Sequence, residues 1–199
     1  MRIVDWPFCS TRTRFEPSYA VSAPAFGRAP HEHMSPFWMA ELGLPDAFED
    51  RRREIEAVLA DIEGVAIVEA FDSRCPRPRA LAKGVAIPAL TISAMDEAAR
   101  SVTVTGTAGD IITKGDPLAV TAGGVRHYFK ARADLTLTGN ADTLPVFIRP
   151  RLTVSGVSLV VERDKPRCRF ILDSTNVSNV TERKVTATTI SLIEYWGAA

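Results

Sequence analysis

The sequence predicts a mostly-β chain of the α+β class: a β-sandwich or split barrel with one packed amphipathic α-helix. Three observations carry that expectation. Strand-like runs rich in β-branched residues recur at intervals of roughly 8–12 residues through the last two thirds of the chain. Glycine, proline and aspartate punctuate them, as turns require. Helical periodicity is confined to residues 46–63. Its single occurrence argues against a parallel sheet built from alternating strands and helices.

The helix begins at Pro45-Asp46-Ala47-Phe48-Glu49. This is a capping box: the Asp46 carboxylate accepts from free backbone N–H groups of the first turn, and Glu49 reaches back to the N–H of Asp46. Phe48, Ile55, Val58, Leu59 and Ile62 recur at helical spacing and form one apolar stripe. Glu49, Arg52, Arg53 and Glu56 take the opposite face, with Glu49 and Arg53 suitably placed for an i,i+4 pair. Gly64 supplies the left-handed stop. Phe48, Ile55, Leu59 and Ile62 are expected in the core.

Residues 65–199 form the strand-rich body. Val65 to Phe71 and the alternating Ser101-Val102-Thr103-Val104-Thr105 read as strands, while Pro88 breaks the run from Val85 to Ser93. Gly123-Gly124, between Pro117–Thr121 and Val125–Ala131, provides the two positive φ angles of a tight hairpin. Gly106 to Asp110 is expected to be a second hairpin turn. Asp164-Lys165-Pro166 separates two further strands, and Val185 to Trp196 closes the chain.

Residues 1–44 differ in character. They hold Pro7, Pro17, Pro24, Pro30 and Pro36 among the aromatics Trp6, Phe8, Phe15, Tyr19, Phe26, Phe37 and Trp38. Aromatic surface of that extent must be buried, either on the core or against a neighbouring subunit. The whole chain, 1–199, reads as one domain with an N-terminal arm, since 199 residues with 46% hydrophobic content suit one sizeable core or two small ones.

The 24 basic and 24 acidic residues cancel, so no net field steers the chain onto nucleic acid or anionic lipid. The sequence lacks the roughly 20-residue apolar run that a spanning helix needs. The N-terminus has no signal-peptide pattern. Cys9, Cys75 and Cys168 are widely spaced and fit reduced thiols in a cytosolic setting. We expect no membrane association and no sequence-specific nucleic-acid binding.

Candidate chemistry is sparse. In a strand, His31 and His33 of His31-Glu32-His33 would share one face, the beginning of a metal site without a third ligand. Gly106-Thr107-Ala108-Gly109-Asp110 lacks the lysine and following helix of a phosphate loop. Asp110, Asp116, Asp134 and Asp142 lie beside turns, where aspartate serves the backbone. The basic loop Arg74-Cys75-Pro76-Arg77-Pro78-Arg79 lacks the interleaved aromatics of a nucleic-acid surface. The reading is of a non-enzyme with no catalytic residues, cofactor or metal.

Several segments together resemble the distal-tail and minor tail components of tailed bacteriophages. They are the Trp6-Pro7 start, the run Phe37-Trp38-Met39-Ala40-Glu41-Leu42-Gly43-Leu44-Pro45 leading into a helix, and that helix's end, Leu59-Ala60-Asp61-Ile62-Glu63-Gly64. Asp72 and Arg77-Pro78-Arg79 follow in a proline-marked loop. The strand-rich half adds Gly109-Asp110-Ile111-Ile112-Thr113-Lys114-Gly115-Asp116-Pro117-Leu118, Val125-Arg126-His127-Tyr128 and Leu144 to Leu152, ending in Ile190-Ser191-Leu192-Ile193-Glu194. The segment around His31-Glu32-His33 departs from the glycine-rich pattern expected there. Within these 199 residues the receptor- or sugar-binding domain of larger relatives is not expected.

The resemblance implies a virion structural protein made in the host cytoplasm. It would form a ring, usually hexameric, between the tail tube protein and the baseplate or tip proteins. Phe26, Phe37, Trp38 and the loop Arg77-Pro78-Arg79 are the expected interface residues. Rival expectations are a tail-tube or tail-terminator subunit and, from another class, a β-barrel carbohydrate- or peptide-binding or hydrolytic module.

Overall fold

A computed structural model describes residues 3–5, 13–18, 21–22, 31–32, 37–43, 57, 67–148, 150–172 and 189–196. The described chain is mostly β. Its strands are β1 (Ile3–Asp5), β2 (Thr13–Ser18), β3 (Val21–Ser22), β4 (His31–Glu32), β5 (Phe37–Gly43), β6 (Ile67–Phe71), β7 (Leu90–Asp96) and β8 (Ser101–Gly106). Then follow β9 (Ile111–Ile112), β10 (Pro117–Ala122), β11 (Val125–Lys130), β12 (Leu135–Thr136), β13 (Asp142–Pro145), β14 (Val154–Val160), β15 (Arg167–Leu172) and β16 (Thr189–Glu194).

A six-stranded sheet runs β1-β6-β15-β16-β5-β2, and a four-stranded sheet runs β13-β8-β7-β14. Three two-stranded ladders accompany them: β10 with β11, β9 with β12, and β3 with β4. The β1–β6 pair is parallel and the other strand pairs are antiparallel. The sheets do not form a closed barrel. The helix expected over 46–63 lies outside the described residues, except for Ala57, which has helical backbone and is exposed.

The hairpin β10–β11 organises the interior. Gly123 and Gly124 close it with φ of 57° and 79°, the pair of positive values that a tight two-residue turn needs. Leu118, Val120, Phe129 and Ala131 belong to one core, shared with Leu90, Ile92, Val102, Val104 and Leu144 of the four-stranded sheet. Ala119 and Tyr128, alternating with them, belong to a second core with Phe15, Trp38, Ala40, Val68, Ala70, Cys168, Phe170 and Leu192 of the six-stranded sheet. Covered on both faces, β10 loses the usual in-out alternation, and its first four residues are all buried.

The described parts of residues 1–44 include strands of the six-stranded sheet: β1 pairs β6 and β2 pairs β5, which in turn pairs β16. One expectation is corrected here: the turn at Gly106–Asp110 does not make a hairpin. β8 pairs β7 and β13, whereas β9 pairs β12, so the chain changes sheets there. Strand β7 begins only at Leu90, beyond the break that Pro88 imposes.

Candidate functional site

The expected interface residues fall into different environments. Trp38 is 1% exposed and sits in the core. Its indole N–H donates to the Tyr128 carbonyl at 2.9 Å, and its main-chain N–H donates to Glu194 Oε2 at 2.9 Å. This corrects its placement on a partner surface: strand alternation turns Phe37 outward and Trp38 inward. Phe37 is half-buried, with its ring edge-on to Trp196 at 6.2 Å. Pro78 is buried and likewise offers no contact surface. Arg77 donates to the Val85 carbonyl and lies 3.8 Å from Asp164. Arg79 is exposed, while its backbone N–H is held by Asp116 Oδ1 at 3.0 Å. Phe26 and His33 lie outside the described residues, and His31 is described only as a strand residue paired with Ser22.

Asp72, at the end of β6, joins three parts of the fold. Its carboxylate accepts from Arg74 Nε at 3.1 Å, Arg74 Nη2 at 3.0 Å and Lys130 Nζ at 2.9 Å. Arg74 Nη2 also reaches the Phe15 carbonyl of β2 at 3.2 Å, and Lys130 of β11 lies 5.3 Å from the centre of the Trp38 ring. Burial alone would raise this carboxyl's pKa. The hydrogen bonds from Arg74 and Lys130 outweigh that effect and hold it below its ordinary value.

The aspartates beside turns divide into two kinds. Asp116 and Asp142 accept the nearby backbone N–H groups of Thr113 and Thr138, as turn residues should, whereas Asp134 accepts that of Lys114, 20 positions earlier. Asp110 does not follow that pattern. It is buried and paired with Arg163, whose guanidinium also donates to the Pro88 carbonyl at 3.1 Å. Sequence reading missed this pair because its members stand 53 positions apart and in no shared motif.

Further titratable groups buried in strands include His127, Glu194 and Cys168. Burial, assisted by Arg151, lowers the pKa of His127 to about 4, and the ring stacks on Phe129 at 6.1 Å. Burial raises the pKa of Glu194, and the N–H of Trp38 opposes that shift only in part. Cys168 is buried and its thiol pKa is pushed well up, first by burial and then by Glu194. No group of three or more His, Cys, Asp or Glu side chains suited to a metal ion occurs among the described residues. None of their helices is long and apolar enough to cross a membrane.

The paired carboxylates and cations therefore tie strands to loops. Among the described residues, exposed apolar side chains stand both in loops, at Val85 and Leu152, and on strands. Strand β14 ends the four-stranded sheet, and its Val160 is 78% exposed. Trp196 is 37% exposed beside Arg151, whose guanidinium lies 4.0 Å from the ring centre. Compared with models of known protein families and with curated proteins, the chain matches none.

Proposed function

We propose that this chain is a virion structural protein: a subunit of the distal tail or baseplate hub ring that links a phage tail tube to the tail tip. The observation that carries the reading is the apolar strand residue Val160 of β14, which is 78% exposed. Exposed apolar strand residues are where β proteins associate, and fixed rotation between copies closes a ring. The tail-protein resemblance of the sequence supplies the identity of the assembly.

In this reading the fold is a β-sandwich with the helix over residues 46–63 packed against the six-stranded sheet. The register supplies a seat for its apolar stripe. Ile171 stands opposite Ile193, and Ile193 opposite Met39, forming an apolar row on the side of the sheet away from the hairpin. The ring would bind tail tube protein on one side and baseplate or tip proteins on the other.

The native mass of the purified chain and electron micrographs of it test this proposal together. Closed rings, six subunits in the simplest case, are expected. Stacked tubes would transfer the reading to a tail-tube subunit. A strictly monomeric protein at high concentration would overturn it.

A further inference from the structure

We infer that the outward face of the four-stranded sheet is a self-docking surface that joins two copies of this chain face to face. The inference deepens the assembly reading by naming one of its contact surfaces. It begins from register. Leu90, Ile92, Met95, Val102, Val104 and Leu144 point into the core. Their neighbours along the strands therefore share the opposite face.

Cross-strand pairing arranges that face in rows. Val160 stands opposite Thr91, which stands opposite Thr105. In the next row Ser155, Ala94, Thr103 and Thr143 lie side by side across all four strands. A third row holds Asp96, Ser101 and Pro145. Asp96, at the end of β7, is the sole ionisable residue in these rows.

Charge is thus nearly excluded from this face in a chain of which 24% is charged. An ordinary solvated surface of a small domain carries about 25–35% Lys, Arg, Glu and Asp. A partner recognised by charge has nothing to grip here, and an extended apolar partner finds little beyond Val160. A second copy of the same face fits the chemistry. Hydroxyl groups both donate and accept, so an array of them complements itself. Thr91 and Ser93 use their protons on the Thr105 and Thr103 carbonyls, at 3.2 and 3.5 Å, which leaves their oxygens as acceptors. Thr103, Thr105 and Thr143 can donate to them from the facing copy. Threonine also loses little side-chain freedom when covered.

Edge-to-edge pairing is less suited to this sheet. β14 changes register between Ser155 and Leu159, and Gly156 has a φ of 69°. Such a bulge spoils the outer ladder and protects an edge from added strands. The face beside it keeps its rows.

Four strands about 4.8 Å apart, each contributing roughly six residues at about 3.3 Å, give about 400 Å² per copy. That is about half the area per partner of a standard stable interface, so association through this face alone is weak and depends on concentration. Because the patch meets itself, the contact has two-fold symmetry. It pairs two copies, or two rings back to back, and does not itself close a ring.

Sedimentation velocity over a wide concentration range tests the inference, using wild type, the double variant T91K/T103K, the milder T143K on edge strand β13, and T136K as a charge control elsewhere. Circular dichroism confirms that each variant folds. Wild type and T136K should associate in even-numbered species. T91K/T103K should need at least tenfold more protein to do so, with T143K between them. Unchanged association of both face variants overturns the inference and leaves the ring proposal standing. Rings that persist singly in T91K/T103K while wild-type rings pair support both. A wild type that stays monomeric overturns both, including the case in which a different protein covers the face.

Discussion

Trp38 of β5 donates its indole N–H to the main-chain carbonyl of Tyr128 of β11, 90 positions later, at 2.9 Å. The two rings stand perpendicular with centres 5.3 Å apart. This contact fastens the six-stranded sheet to the central hairpin by packing and by one buried hydrogen bond. Trp38→Phe keeps an aromatic ring but strands the Tyr128 carbonyl, at a cost of about 1–3 kcal/mol. Trp38→Ala removes the packing too and should cost about 3–5 kcal/mol. Urea denaturation followed by circular dichroism should show midpoints falling in that order. Self-association of the folded W38F protein should match wild type, because the ring lies in the core and not at an interface.

The sequence announces local features better than the contacts that join them. Gly123-Gly124 declares its hairpin because two positive φ angles in succession leave few other residues possible. The alternation of Ser101 to Thr105 gives both the strand and its core face. The prolines and aromatics around Trp38 fit packing on the core as well as on a neighbouring subunit, and it is strand pairing with distant residues that holds β5 between β2 and β16. Gly106–Asp110 looks locally like a hairpin turn, yet strand partners are chosen over long range. Asp110 resembles the other turn aspartates until the distant Arg163 is placed beside it. The uncharged rows of the outward face could be glimpsed in Ser101, Thr103 and Thr105. Their continuation through Ala94, Thr143 and Ser155 depends on register alone.

The Asp72 cluster should make the fold sensitive to acid. Its carboxyl titrates below its ordinary value in the folded chain, and near pH 3.9 or so when unfolded. The unfolded state therefore takes up the proton first as pH falls. The stabilisation is fully present above about pH 4 and disappears as pH drops through the folded-state value. Asp72→Asn leaves Lys130 and Arg74 facing a neutral amide and should cost about 3 kcal/mol at pH 7. Denaturation midpoints measured from pH 7 to pH 2 should fall less steeply below pH 4 in D72N than in wild type. Parallel curves would rule out Asp72 as the source of that slope.

His127 governs a different window. Burial and Arg151 lower its folded-state pKa to about 4, against about 6.5 when unfolded. The neutral ring is favoured by folding, so its contribution is fully present above pH 6.5 and is lost as pH falls toward 4. A displacement of that size corresponds to at most about 3 kcal/mol. Glu194 acts in the opposite sense: burial raises its pKa, so its contribution diminishes as pH climbs above its unfolded value. The difference between wild type and His127→Phe isolates the histidine. Relative to wild type, H127F should become more stable between pH 6.5 and 4, while the Glu194 contribution stays common to both. A constant difference across that window would show that His127 titrates alike in both states.

Gly106 ends β8 opposite Leu90, and its missing side chain makes room for the core. A Cβ there would stand 2.8 Å from Leu137 Cδ1, 3.0 Å from Leu90 Cδ1 and 3.2 Å from the Ala89 carbonyl oxygen. Both leucines are buried, at 2% and 1% exposure, so neither can simply swing away. Gly106→Ala should therefore cost about 1–3 kcal/mol through overpacking. Gly123→Ala provides a contrast: nothing lies within 4 Å of its Cβ position, but φ is 57°, so its cost is conformational. Shortening Leu137 distinguishes the two. Leu137→Ala removes the atom closest to the methyl group that G106A adds, so G106A/L137A should lose less stability than the sum of its single variants. G123A/L137A should be additive, as expected for sites with no shared contact. Additivity in both pairs, measured by urea denaturation, would show that the backbone around Gly106 sets the cost of G106A and not the packing of Leu137.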